Sequence, residues 1–340
     1  MLSFIGFLSE AASGADADSS GKAFELEFAR HLHPQKQLPK HFNDESGRTP
    51  TQVSADLHSK LGHDAYQKIS SDAEKAAAHH VKTTGHKDIG DVHWTSQAGQ
   101  VSKLTGHKEH ENPSDIVYTR KNGEHHGVSL KYGASVGARS PGLADLGKLS
   151  GVPHHELKKM QANHDHAVDT DMQNHIAGGS RKENHESFKE IVKNGSVGAK
   201  AAAKRAAETS HAHRSAMASR IAAGLSNVAA TDHEAMKGVV RRLGGAPVAV
   251  TPMYKAHHNP KTGSTDVSKP TEDFDKLESA THHYSVAHNG TTVSIHAHDH
   301  EGNKIGTAVA MNIKNKSSSP YTSISGSSKL GNAFKKIKGK

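Results

Sequence analysis

Apolar residues recur along this chain in short patches, and most patches have a readable period. From 21 to 32, Phe24, Phe28 and Leu32 fall at i, i+4 and i+8 with Ala23 beside them, predicting a helix with one buried face ringed by Glu25, Glu27 and Arg30. Residues 33–49 are rich in Pro, His and Lys and read as a loop. Two more helices are expected: 51–61, introduced by Pro50 with Val53, Leu57 and Leu61 inward, and 65–81 with Ile69, Ala73 and Ala77 inward. The period then shortens to two. Residues 91–95 suggest a strand, and 115–119 and 127–132 alternate on either side of the turn Lys121-Asn122-Gly123, predicting a hairpin.

Beyond the hairpin, Ser140-Pro141 reads as N-cap and N1 of a helix through Leu143, Leu146 and Leu149. Helices are expected at 153–165, 183–193, 199–225 and 231–243. In the third, Lys200, Lys204 and Arg205 lie among alanines and give a strong helix former with a basic face, either solvated or turned toward phosphates. After Gly244-Gly245 the pattern changes. Val248, Val250, Met253 and Tyr254 suggest a strand, and 255–278 reads as a long polar loop. Residues 284–288 and 291–298 are strands joined by Asn289-Gly290, and 305–313 offers another. The last 25 residues are Ser-rich and then basic, and are expected to be mobile unless a polyanion orders them. No internal repeat is visible.

A chain of 340 residues can bury a real core, but with 33% hydrophobic and 4% aromatic residues that core must be lean. No apolar run approaches membrane-spanning length, so no membrane partner is expected. Lys and Arg outnumber Asp and Glu by 43 to 35, before any of 30 His takes a proton, which favours a polyanionic partner such as DNA. The absence of cysteine excludes disulfides, thiolate metal sites and a thiol nucleophile. There is no phosphate-cradling Gly-x-x-x-x-Gly-Lys-Ser/Thr, dinucleotide fingerprint or Gly-x-Ser-x-Gly elbow, so nucleotide-driven motors and serine hydrolases are not expected.

Histidines cluster at His79-His80, His125-His126, His154-His155, His164-Asp165-His166, His211-Ala212-His213, His282-His283 and His296-Ala297-His298-Asp299-His300. Alternation on a strand would turn His296, His298 and His300 to one face able to bind zinc or copper. Their spread along the chain fits equally a general habit of placing histidine on the surface.

The chemistry is expected between Asn112 and Asp145. Asp115 begins one strand of the predicted hairpin and Lys131 ends the other, and such a pair serves metal-dependent phosphodiester hydrolysis. Asn112-Pro113-Ser114-Asp115, the hairpin and Ser129-Leu130-Lys131 resemble the PD-(D/E)xK nuclease superfamily. Gly21-Lys22-Ala23-Phe24-Glu25 is similar to the Gly-x-x-x-Glu of that fold's first helix. The resemblance implies an α/β protein with a restriction-endonuclease-like core, a mixed sheet flanked by helices, carrying a helical insertion and a β-rich C-terminal part. The expected divisions are a leader at 1–10, a nuclease-like core at 11–150, a helical region at 151–245, a β-rich part at 246–315 that can complete the core, and a tail at 316–340.

One position departs from the superfamily. Ser129 stands where a second acid is expected, and a hydroxyl is a weak ligand for a hard cation. Some type II restriction enzymes with Ser-x-Lys take the acid from the following helix, fourteen residues beyond the lysine, and that position here is Asp145. The resemblance therefore implies Mg2+, or Mn2+, held by Asp115 with Asp145 or Glu25. Lys131 would position the attacking water and Ser129 would touch a metal-bound water or the phosphate. It also admits a homodimer. The alternative is a basic, DNA-associated protein whose nuclease-like core has lost its second acid.

Met1 to Glu10 has no cation ahead of its apolar stretch, so secretion is not expected. Phe4, Phe7, Leu8, Ser9, Glu10 and Ala11 resemble the leaders of internal head proteins of tailed phages, which the prohead protease trims after the glutamate. This implies cleavage between Glu10 and Ala11, with the prohead protease and the capsid interior as partners and the virion interior or host cytoplasm as the place of action. The other reading is an apolar helical turn docked on the body.

Overall fold

The computed structural model describes residues 14–38, 47–95, 100–106, 114–133, 140–176, 178–246, 252–317 and 319–337. The leader residues, Asn112, Pro113, Val248 and Val250 lie outside them. The chain forms two compact units, one from Ala15–Val136 with Gly245–Asp275 and one from Gly137–Gly244 with Lys276–Lys340. The protein is mixed α/β, with a sheet in each unit. No helix among the described residues is long and apolar enough to cross a membrane.

The first unit holds α1 (Gly14–Leu32), α2 (Pro50–Leu61), α3 (His63–Thr84), β1 (Ile89–Trp94), α4 (Gln100–Thr105), β2 (Ile116–Arg120), β3 (His125–Tyr132), β4 (Met253–Asn259) and β5 (Ser264–Ser268). Thr49 and Gln52 close a capping box ahead of Pro50, so α2 begins where the proline placed it. The sheet order is β1-β2-β3-β4-β5, antiparallel except for the β3–β4 pair. That parallel pair needs a long connection, and residues 137–244 between the two strands belong to the second unit. Phe24, Phe28 and Leu32 of α1, Val53 and Leu57 of α2, and Ile69, Ala73 and Ala77 of α3 share a core with Trp94, Ile116, Tyr118, Val128, Leu130 and Ala256 of the sheet.

The second unit contains α5 (Leu143–Ser150), α6 (His154–Met172), α7 (Arg181–Asn194), α8 (Val197–Thr231) and α9 (His233–Gly244), then β6 (His283–Asn289), β7 (Thr292–His298), β8 (Lys304–Asn315), β9 (Ile324–Leu330) and α11 (Ala333–Ile337). α10 (Pro270–Ala280) carries the chain from the first unit into it. The four strands form one antiparallel sheet in chain order, β6-β7-β8-β9. The alanines of α8 bury Ala202, Ala203 and Ala206 against Val168 and Met172 of α6. Gly224 lets α8 approach closely, since a Cβ there would collide with the carbonyl of Ser150.

Four expectations change. The 255–278 stretch is not a loop: β4, β5 and most of α10 occupy it. Its strands alternate inward, with Tyr254, Ala256 and His258 buried, but histidine and serine hid the pattern. The 316–340 stretch contains β9, in which Ile324 and Ser328 are buried and which pairs with β8 from Val309 to Asn315. The helix at Ser140-Pro141 starts two residues later, at Leu143 with Gly142 as N-cap, because the Pro141 carbonyl is used by Gly326 of β9. Histidine is not confined to the surface either: His80, His164 and His258 are fully buried. With few Phe, Tyr and Trp available, imidazole rings complete the core, with His126 stacked on Tyr118 and His258 on Tyr132. Burial pushes the pKa of His80 down to about 3, so it packs as a neutral ring.

Candidate functional site

Asp115 immediately precedes β2, where the strands begin to splay. Its N–H still donates to Val128 O of β3 at 2.9 Å, but its carbonyl accepts from Thr95 N at 3.0 Å, just beyond β1. The Leu130 N–H of β3 donates instead to the Asp115 side chain, at 2.6 Å to Oδ2. A carboxylate thus takes the place of a ladder carbonyl, which fixes its position at the mouth of the hairpin. Ser129 Oγ donates to the same oxygen at 3.3 Å, and Lys131 Nζ stands 3.8 Å from it. Among the described residues nothing hydrogen-bonds Asp115 Oδ1.

The second carboxylate is Glu25. The apolar period of α1 buries Phe24 and Phe28 and leaves Glu25 half-buried beside the sheet, where Oε2 accepts from Trp94 Nε1 at 3.1 Å. Burial, and then the charge of Asp115, push the Glu25 pKa up to about 8, against the Trp94 hydrogen bond and the charges of Lys131 and Lys22. At neutral pH Glu25 therefore keeps a proton, a raised carboxyl of the kind that functional sites employ.

A third group was not legible in the sequence. Lys255 of β4 is the register partner of Ser129, and Lys131 pairs with His257 two residues on, so Ser129, Lys131 and Lys255 face the same way. Burial, and then the charge of Lys131, push the Lys255 pKa down to about 8, with Asp115 and Asp266 opposing. Recognising β4 beneath its histidines was the missing signal.

Of the residues singled out from sequence, the fold brings Glu25, Asp115, Ser129 and Lys131 together in the first unit. Asp145 lies in the first turn of α5 and belongs to the second unit. Among the described residues no group of three or more His, Asp or Glu side chains is arranged to hold a metal. Asp115 and Glu25 nevertheless fit a hard divalent ion that keeps much of its water. Both are carboxylates, each has an oxygen without a hydrogen-bond partner among the described residues, and a cation would relieve the repulsion that keeps a proton on Glu25.

His283 of β6 and His296 and His298 of β7 are engaged within their sheet. His298 pairs with Ser285 Oγ at 2.8 Å and Gly302 O at 3.2 Å, His296 with Thr307 Oγ1 at 3.2 Å, and His283 stacks on His298. His296 and His298 share a face as their spacing predicted, whereas His300 lies beyond the strand. A second arrangement imitates a catalytic triad: His164 bonds Asp165 through Nδ1 and Ser210 through Nε2, both at 2.9 Å. Ser210 is only 1% exposed and also donates to Asn315, so this relay has no access to substrate and serves to satisfy polar groups in the core. No family model matches the chain, and no curated protein does.

Proposed function

We propose that the protein is a metal-dependent DNA endonuclease with a restriction-endonuclease-like core, and that Glu25 supplies the acid missing at Ser129. The observation that carries this reading is the Asp115 carboxylate, fixed by Leu130 N–H at 2.6 Å with Ser129 Oγ at 3.3 Å and Lys131 Nζ at 3.8 Å, in the unit whose first helix brings Glu25 within reach of its charge. The superfamily resemblance implies a helix, three strands, a helix and a further strand; the first unit supplies the helix, the three antiparallel strands and the later parallel strand, while the helices between β3 and β4 belong to the other unit.

In this account Asp115 and Glu25 hold Mg2+ or Mn2+. A bound divalent ion supplies positive charge for the phosphate oxygens and acidifies a coordinated water. Asp115 keeps Lys131 at the hairpin mouth, where its ammonium orients a water in line with the phosphorus. Ser129, already donating to Asp115, steadies that carboxylate. Lys22 and Lys131 act on Glu25, and Lys131 acts on Lys255, a gathering of cations suited to a polyanion.

The test is nicking or linearisation of a plasmid by the purified chain in Mg2+, abolished by chelator and by Asp115→Asn or Lys131→Met. A second reading, a non-catalytic DNA-binding protein, is favoured by the lack of a three-ligand metal group among the described residues. It predicts plasmid binding without cleavage in either ion. Action inside a phage head rests on the Phe4 to Ala11 resemblance, and mass spectrometry of particles for a chain beginning at Ala11 tests it.

A further inference from the structure

Among the described residues the cation on β4 is in contact with no partner. Lys131 is engaged by Asp115 at 3.8 Å, but among the described residues no acid lies within 4.0 Å of Lys255 Nζ and nothing hydrogen-bonds it. Lys255 is nonetheless half-buried in an interior strand, between β3 and β5, with Met253 and Ala256 nearby in the core. Holding an ammonium there beside that of Lys131, with the charges of Asp115 and Asp266 acting only from beyond contact distance, costs stability. A structural lysine at such a point would be expected to have a carboxylate beside it, whereas a lysine that receives an anionic ligand needs that place open.

Its position specifies the ligand. Register sets Ser129, Lys255 and Ser268 in one row across three strands, with Lys131 in the next row on the same face. An anion lying over this face would meet two ammonium groups flanked by hydroxyls, and both would lie on the Asp115 side of the sheet. We propose that Lys255 is a phosphate-binding residue of the site, taking a non-bridging oxygen of the phosphodiester while Lys131 stays with Asp115 and the water. This rests on the nuclease reading for the identity of the phosphodiester, but the contact itself is independent of turnover.

Binding and cleavage are therefore measured separately on the full chain, with a short DNA duplex in chelator for affinity and a plasmid in Mg2+ for cleavage. Lys255→Met is expected to reduce the slope of log affinity against log salt by about 1. Cleavage should fall about 100-fold, the usual scale for removing one donor to the reacting phosphate. Its melting temperature should match or exceed the parent's, and Lys255→Arg should keep the parent slope. A parent that binds the duplex but never cleaves defeats the nuclease reading while the slope still decides Lys255. A Lys255→Met variant with the parent's slope overturns the proposal. So does a parent that does not bind the duplex, or a marked loss of melting temperature in both Lys255→Met and Lys255→Gln.

Discussion

Two acids on α1, Glu25 and Glu27, sit a single residue apart in environments that could hardly differ more. Glu27 is 1% exposed, accepts from Tyr66 Oη and Ser70 Oγ at 2.7 Å each, and is paired with Arg30 at 3.4 Å. Every demand of its charge is met inside the fold. Glu25 is more exposed, has one hydrogen bond among the described residues, from Trp94, and has Asp115 for company. The comparison separates an acid that holds α1 to α3 from one that keeps open hydrogen-bonding capacity beside Asp115, which our proposal gives to a metal ion. Burial alone would have chosen the wrong one.

The largest effects should divide along that line. Asp115→Asn and Lys131→Met are expected to lower Mg2+-dependent plasmid cleavage by about a thousandfold or more with unchanged melting curves, because groups at the reacting phosphate act as a unit. Glu27→Ala should instead destabilise the fold by about 2–3 kcal/mol in urea unfolding, since it removes the buried charged acceptor shared by the Tyr66 and Ser70 hydroxyls and Arg30. A folded Glu27→Ala should still cleave. Cleavage lost ahead of stability would blur the distinction.

Next in size is the pH response of Glu25. Its pKa is raised in the folded chain to about 8, so its contribution to stability is complete below about 4.5, declines as pH rises from there through 8, and is level beyond. Glu25→Gln is neutral throughout. The melting temperature of the variant relative to the parent should therefore climb from pH 5 to pH 8 and then flatten. A constant difference would mean that Glu25 ionises normally. The smallest effects belong to Ser129→Ala, expected to lower cleavage only several-fold because the Leu130 N–H still holds Asp115, and to Asp145→Asn, expected to leave cleavage unchanged.

The sequence made the hairpin legible because Ile116, Tyr118, Val128 and Leu130 alternate cleanly around a Gly turn, and it made α1 legible because Phe24, Phe28 and Leu32 keep one face. Asp115 and Lys131 followed from those elements. The acid we propose to pair with Asp115 did not. Asp145 and Glu25 both satisfied a spacing, and spacing carries no information about which unit a helix joins across the 137–244 excursion. Lys255 was hidden for a different reason: in β4 and β5 histidine, serine and threonine occupy positions where Val or Ile usually announces a strand. The same use of polar residues in packed positions, Ser328 in β9 among them, made an ordered strand read as a tail.

The central claim is that Glu25 completes the site. Plasmid cleavage in Mg2+ by the parent, Glu25→Gln and Asp145→Asn, run side by side at equal folded concentration, tests it most directly. The account predicts cleavage by the parent and Asp145→Asn and none by Glu25→Gln. Cleavage that survives in Glu25→Gln and disappears in Asp145→Asn would contradict it.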